Sequence, residues 1–483
     1  MLQSNWKKIL RDLAPIATIT LLAAFIRTFA VSMPLSGDEM TAYLYFIRGG
    51  WQAIFRDWAE PFPAFLIDIA NHPVNNILTF ISINTFGEVT DWSLRLPAYL
   101  LGCLTIPLAY RLSLECSKSH RAALFAAFAL ALANGHVQWS GISRGYSTMI
   151  FFEVILLCAV IRFQRKPGIP TAIVAISSGT LMVYSQFVSL AVIASIALAI
   201  FVLSALKRSY INGERTDNDR LESLASNAFV ILTIGFCSSL IYLPQFSVLD
   251  TLLSIIQEGK LPAETFGQIP GFSREDSPSE HTNPTWSQVA DFVMGMGPVS
   301  GFMTLGLWVA GLILIGKRNT KSAIILASIA LAPATLVLAT QASPRGRYFL
   351  ILLPVYVVPL GFAVDALLSR TKEWLDKILK TNNSDYAKFT TVLGFVVIAA
   401  LNLPATIRFL QDPHPERSGS WHLAEAEAFI QREASPDDLV WLFPVGPPET
   451  AEQAPGYLQP YGHLHSLGGF GKLVVVDDVF TFD

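Results

Sequence analysis

Charge is scarce in this chain. Asp, Glu, Lys and Arg make up 15% of its 483 residues, against about 25% in an ordinary soluble domain. That shortage excludes a disordered chain and a protein that coats nucleic acid. The net charge is only −3, so no polyanionic partner is implied. Cysteine is scarce too. The four residues Cys103, Cys116, Cys158 and Cys237 lie in or beside apolar runs and form no CxxC spacing, which argues against a disulfide framework and against a zinc site. No glycine-rich phosphate loop is present, and no internal repeat is visible.

What the chain has in excess is hydrophobicity, at 52% of residues. A membrane helix needs about 20 apolar residues to cross roughly 30 Å of hydrocarbon. About eleven runs meet that need, near 13–32, 94–113, 121–138, 146–162, 170–186, 187–206, 225–244, 296–316, 322–340, 348–367 and 389–408. The first follows Lys7, Lys8 and Arg11 but is longer than a signal-peptide core, so it is expected to stay as a span. The expected fold is an all-α polytopic membrane protein: a transmembrane domain over 1–408 and a small α/β region over 409–483.

Basic residues orient the spans. With the N-terminus inside, the inside segments carry 21 Lys and Arg and the much longer outside segments carry 12. The positive-inside rule therefore puts the N-terminus in the cytoplasm and the C-terminal region outside, in a plasma (inner) membrane. Two outside loops, 33–93 and 246–295, are far longer than connectors need to be.

The first of these loops holds the densest chemistry. Asp38 and Glu39 stand side by side just beyond the first span, in SGDEMTAYLYF with Tyr43. Charges at bilayer depth cost about 2.5–3.5 kcal/mol each, which favours an interface or a wet cavity. Neighbouring helical side chains point about 100° apart, so one acid can face a substrate while the other holds a neighbour. The alternative is a polar helix start, with acids in its first turn. His72-Pro73 and Arg95-Leu96-Pro97 follow in or after the same loop; a histidine before proline can be structural, and Arg95 an interface anchor. On the same side lie Arg144 and Tyr146 in SRGYS, and Arg345, Arg347 and Tyr348 in SPRGRYF. Arginines there run against the inside bias. An anionic ligand would explain them, because guanidinium grips phosphate with several donors; snorkelling to headgroups is the other explanation.

Other signals are thinner. His463 and His465 have a metal-like spacing without a nearby third ligand, and Asp477-Asp478 stands almost at the chain end. The sequon at Asn382 falls on the inside face, where it is not used. Arg27 and Glu153 sit within spans, where such residues are functional or paired in the bundle.

Taken in order, these motifs resemble the GT-C type of membrane glycosyltransferase. They are an outside Asp-Glu after span one, a His-Pro in the same loop, an R-L-P opening span two, an Arg-Gly-Tyr opening span four, and an Arg-Tyr with a later Pro354. The likeness is to family 39, the protein O-mannosyltransferases and their bacterial relatives, and to the similar aminoarabinose transferases. It covers about residues 10–360. Relatives often read His-Pro-Pro where this chain has Val74. The resemblance implies a sugar donor on a polyprenyl phosphate, an acceptor hydroxyl on a lipid, glycan or protein, and inverting displacement on the extracytoplasmic face. It implies Asp38 as general base, Glu39 as its assistant, Arg144, Tyr146, Arg347 and Tyr348 at the donor phosphate, and Tyr43, His72 and Arg95 near the loop site. No cofactor is required by such a reaction; if a divalent metal were used, Glu39 and His72 would be the ligands to check. No nucleic-acid partner is expected.

A multi-span transporter or flippase of lipid-linked glycans, and a polysaccharide polymerase, are the competing classes. Many transporters show two related halves with interrupted spans in matching places, which this sequence lacks. A polymerase would usually carry its large outside loop late in the chain.

Overall fold

The computed structural model describes residues 2–33, 39, 42–55, 72–87, 89–210, 217–242, 298–331, 346–379 and 384–411. Every regular element among them is helical. The helices are α1 (Leu2–Val31), α2 (Trp51–Phe55), α3 (Pro73–Phe86), α4 (Asp91–Ser117), α5 (His120–Leu132), α6 (Asn134–Ser140), α7 (Gly145–Arg165), α8 (Ile169–Ser185), α9 (Leu190–Tyr210), α10 (Asp217–Tyr242), α11 (Pro298–Arg318), α12 (Thr320–Ala330), α13 (Leu353–Leu379) and α14 (Ser384–Gln411). The eleven apolar runs fall on helices at their described positions. Among the described residues five stretches have the length and apolarity to cross a bilayer: Leu13–Val31, Asp91–Ser117, Gly145–Arg165, Phe349–Ile378 and Tyr386–Gln411. Ile169–Ser185, Phe187–Leu203, Leu224–Leu240 and Thr320–Ala330 are apolar but shorter. The chain is therefore a polytopic helical membrane protein. The loop at 246–295 and the expected α/β region from 412 onward lie outside the described residues.

The core is organised around α5. Its Ala122, Phe125, Ala126, Ala127, Ala129, Leu130 and Ala131 are fully buried, and it packs against α1, α4, α13 and α14. Lipid tails are as apolar as the helices, so association depends on close packing rather than on apolar burial. Alanine supplies that closeness here. Gly361 of α13 faces the same surface, and a Cβ built on it would come within 2.6 Å of the Ala122 carbonyl and the Ala126 backbone nitrogen. Proline inside α13 has its own compensation. Pro359 has no N–H, which leaves the carbonyl four residues earlier without its helical partner. That carbonyl, Val355 O, instead accepts from the Trp308 indole of α11 at 3.0 Å.

Local signals set the helix starts. Thr90 and Ser93 form a reciprocal capping box at the head of α4, of the kind that satisfies two orphan donors at once. Ser119 caps α5 by accepting from Ala122 N at 3.2 Å. The tight turn between them places Lys118 in the left-handed region at φ 55°.

The third apolar run is not one straight helix. It breaks at Ala133, and α5 and α6 meet at 59°. A break in hydrocarbon exposes carbonyls that need donors. Arg27, fully buried on α1, supplies them: Nη1 donates to Ala131 O at 3.2 Å and Nη2 to Leu130 O at 3.5 Å. Thr406 of α14 donates to Leu132 O at 2.6 Å. Arg27 also reaches Ser140 Oγ at 3.2 Å and His136 Nδ1 at 2.5 Å on α6. Since guanidinium can only donate, His136 accepts through Nδ1. The bent pair is thus tied to α1, and the loop that follows α6 is aimed by that tie. At its first residue, a Cβ on Gly141 would meet the Ala30 backbone at 2.5 Å, so loop and helix touch main chain to main chain.

Close helix packing is testable at paired glycines. Gly361→Val should destabilise the purified protein by about 1–3 kcal/mol through overpacking. Gly306→Val, at a position with no atom within 4 Å of an added Cβ, should leave it within about 0.5 kcal/mol of wild type. Equal unfolding midpoints for the two variants in detergent would show that α5 and α13 do not meet as described.

Candidate active site

Arg95 sits on the second turn of α4, aimed by the capping box behind it. Its side chain and that of Glu39 are both 0% exposed. Arg95 Nε donates to Glu39 Oε1 at 2.7 Å and Nη2 to Oε2 at 2.8 Å, a bidentate fork that matches carboxylate geometry. Arg95 Nη1 also donates to Val31 O at 2.7 Å and to Met33 O, at the end of α1. From the other side, the backbone N–H of Ser143 donates to Glu39 Oε1 at 2.8 Å. One ion pair therefore joins the end of α1, the acid just beyond it, the head of α4 and the loop after α6. Breaking a buried pair by removing one member typically costs about 3–5 kcal/mol, because the other charge is left uncompensated.

Helix α3 closes the same region with a polar face. Asn75, Asn76, Thr79 and Ser82 are buried, whereas Ile81 and Phe86 are exposed. Helix α3 thus turns its polar side towards the protein and leaves apolar residues on its outer side. Thr79 Oγ1 lies 3.3 Å from Ser143 Oγ and 3.4 Å from Leu94 O, so α3 is bonded to the loop and to the helix that hold the ion pair. The Asn75 side chain is fully buried, and among the described residues neither its nitrogen nor its oxygen has a hydrogen-bond partner. Buried amides are normally satisfied. Tyr43 packs with Ile47 against Leu94, next to Arg95.

His72 precedes α3, with Pro73 at the first helical position, where its missing N–H costs nothing. The His72 ring lies 6.2 Å from the Tyr146 ring, and Tyr146 lies 4.3 Å from Trp139. All three are buried. Gly145 allows this approach, because a Cβ there would press on Ser185 O at 1.8 Å and on His72 Cβ at 3.1 Å. Arg144 is the N-cap residue of α7 and 6% exposed. Arg347 and Tyr348 belong to a 3₁₀ turn, Gly346–Leu352, that packs against α6 and α7. Their side chains, together with Asp38 and Arg345, lie outside the described residues.

The structure thus brings Glu39, Arg95, Tyr43, His72, Arg144 and Tyr146 to one end of the bundle, with the Arg347 turn on adjoining helices. Among the described residues no three His, Cys, Asp or Glu side chains are grouped as for a metal, and Glu39 faces a guanidinium, which disfavours a second cation beside it. Of the two charges within spans, Arg27 is paired at the helix break. Glu153 is fully buried, and among the described residues neither of its oxygens is hydrogen-bonded. Ser143, Thr79, Asn75 and Trp139 are site residues that sequence reasoning did not single out. Only the Asn75/Asn76/Thr79/Ser82 spacing carried a signal, a polar stripe at helical period in an otherwise apolar stretch.

Residues 18–246 match the protein family described as dolichyl-phosphate-mannose-protein mannosyltransferase. Protein O-mannosyl-transferase 1 of Mus musculus is 36% identical over 77 residues, which are 16% of this chain and 10% of that protein. The Danio rerio protein of the same name is 28% identical over 154 residues, 30% of this chain and 21% of that one. The chain therefore matches only a small part of these relatives' length. In three dimensions it is similar to the Archaeoglobus fulgidus oligosaccharyltransferase AglB, solved with an inhibitory peptide and a dolichol-phosphate, with a TM-score of 0.56 and 16% identity over 94% of this chain and 60% of that one. It is likewise similar to ArnT of Cupriavidus metallidurans bound to undecaprenyl phosphate, with a TM-score of 0.52 and 15% identity over 89% and 82%. The chain thus shares the fold of these two solved proteins.

The ion pair makes a direct prediction. Glu39→Ala should lower unfolding free energy by about 3–5 kcal/mol, whereas Glu39→Leu combined with Arg95→Leu should cost much less than the two single changes summed. A loss below about 1 kcal/mol for Glu39→Ala, read by denaturant titration in detergent, would mean that Glu39 and Arg95 are hydrated rather than sealed.

Proposed function

We propose that the chain is a membrane glycosyltransferase that moves a sugar from a polyprenyl-phosphate donor to an acceptor hydroxyl on the extracytoplasmic face. The observation that carries this reading is the buried Glu39–Arg95 pair, one residue from Asp38, joined through Ser143 to the loop that ends in Arg144. In this reading the acceptor oxygen attacks the anomeric carbon as the bond to the phosphate oxygen breaks. The bonding pair leaves with the phosphate, and the acceptor proton passes to the Asp38 carboxylate. The anomeric centre inverts. The leaving group, a polyprenyl monophosphate, departs well without a general acid, so the enzyme's work is to stabilise developing negative charge and to position a base.

The roles divide accordingly. Asp38 is the base. Glu39 does not take the proton: with Arg95 on both its oxygens it is held as an anion, and it fixes the neighbouring backbone instead. Arg144, Tyr146, Arg347 and Tyr348 are the candidates for the donor phosphate, and Tyr43, His72 and the polar face of α3 for the acceptor side. The unsatisfied Asn75 amide offers a donor and an acceptor to a sugar or peptide group. The family match makes a mannosyl donor the first hexosyl to try, and the fold similarity supports a polyprenyl phosphate such as dolichol or undecaprenyl phosphate as its carrier. No metal is needed in this scheme.

Reconstitution with a panel of polyprenyl-phosphate sugars, followed by mass analysis of products, tests the reading. Asp38→Asn should keep membrane insertion and lose transfer by a factor of about 10²–10⁴. Arg347→Ala should weaken donor use by about 1–3 kcal/mol. Wild-type turnover in Asp38→Asn would remove the base assignment, and product formation from no donor in the panel would remove the transferase reading.

A further inference from the structure

The end of the bundle away from Arg95 carries a second charged assembly. Arg95 and Glu115 belong to the same helix, α4, and 20 residues at 1.5 Å each put them about 30 Å apart, the thickness of the hydrocarbon. Helix α7 runs between the same two levels, from Arg144 to Arg162 and Arg165. At the far level Glu115 meets four cations. Arg111 Nη2 lies 2.7 Å from Oε1, Arg162 Nε 2.9 Å from Oε1, Arg165 Nη1 2.7 Å from Oε2 and Lys118 Nζ 3.2 Å from Oε2. The carboxylate is 7% exposed, while the cations are 30% to 64% exposed. Among the described residues one anion meets these four cations, all of which are partly exposed.

A cleft of about 440 Å³ adjoins this cluster, lined by Arg162, Arg165, Lys166, Pro167, Gly168, Pro170 and Thr171. Lys166 has no ion-pair partner among the described residues. The first turn of the 17-residue helix α8 borders the cleft; Pro170 brings no N–H there, but the N–H groups of Ile169 and Thr171 add partial positive charge at the helix head. Little fills the space at Gly168, where a Cβ would meet only Thr171 Oγ1 at 3.6 Å and Pro170 Cδ at 3.9 Å. Beside the cleft, along α8, Ile169, Ile173 and Val174 are 77%, 57% and 44% exposed. A cationic cradle therefore stands at the membrane edge of an exposed apolar strip. That combination fits a molecule with an anionic phosphate at one end and hydrocarbon at the other.

We propose that this cleft is a headgroup site for an anionic phospholipid of the leaflet opposite the candidate active site. Arg162, Arg165 and Lys166 would hold the phosphate, the head of α8 would face it, and the acyl chains would lie along Ile169, Ile173 and Val174. The site is separate from sugar transfer, so it stands or falls independently of the transferase reading. Lipid retention on the purified full-length protein tests it, by native mass spectrometry from nanodiscs of equimolar phosphatidylglycerol and phosphatidylcholine. Phosphatidylglycerol should be retained over phosphatidylcholine by about tenfold or more. Lys166→Gln should cut that preference about fivefold, and Gly168→Leu, which fills the cleft without removing charge, should cut it as well. Neither substitution touches Glu115, so both variants keep the cluster that joins α4 to α7. Equal retention of the two lipids, an unchanged preference in both variants, or displacement by glycerol 3-phosphate as effective as by phosphatidylglycerol would each overturn the proposal.

Discussion

Arg95 is where the candidate site is tied together. In an apolar bundle a guanidinium has no water to fall back on, so each of its donors must find an acceptor. Arg95 finds two in Glu39 and two in the main chain at the end of α1. Glu39 in turn takes the Ser143 N–H. Each of these contacts fixes one segment relative to another, and each lies close in sequence to a residue with a proposed chemical role. Asp38 precedes Glu39, and Arg144 follows Ser143. The proposed base and the proposed phosphate ligand are thus sequence neighbours of groups that this charge pair holds, while the pair itself is given no chemical step.

A second arginine does related work one layer deeper. Arg27 supplies donors to the carbonyls released where α5 breaks into α6, with Thr406 completing the set. Without the break, the run from 120 to 140 would continue as one straight span and carry the 141–144 loop elsewhere. The same helix, α1, holds Arg27 and provides the carbonyls for Arg95. It acts as a common strut for both the bend and the ion pair, and it meets the loop again where Gly141 touches Ala30.

Much of this was legible in the sequence, and the parts that were not have physical reasons. The apolar runs located the helices because hydrophobicity over about 20 residues is a collective signal. Asp38-Glu39, Arg95 and Arg144 stood out because charges beside apolar runs oppose hydropathy, and the two arginines also run against the positive-inside bias expected from the sequence. The burial of Arg95 was not legible, since exposure is a property of tertiary packing; the structure places its side chain fully buried against Glu39. The break at Ala133 was not read from the sequence: Asn134-Gly135 follows it, but the run stays apolar on both sides, and the donors that stabilise the break come from residues 27 and 406. Ser143 contributes through its backbone N–H, which every non-proline residue has, so no side-chain pattern could have flagged it.

The junction has a polarity that a simple pair of charges lacks. Glu39 accepts from a backbone N–H, and Arg95 donates to backbone carbonyls. The most direct measurement is therefore the exchanged variant, Glu39→Arg with Arg95→Glu, compared with wild type for unfolding midpoint and sugar transfer. An arginine at 39 would meet the Ser143 N–H, and a glutamate at 95 would meet the Val31 and Met33 carbonyls, so neither stability nor transfer should return. Recovery of both to near wild-type values would show that any opposite pair suffices and that Arg95 is not the tie proposed for this site.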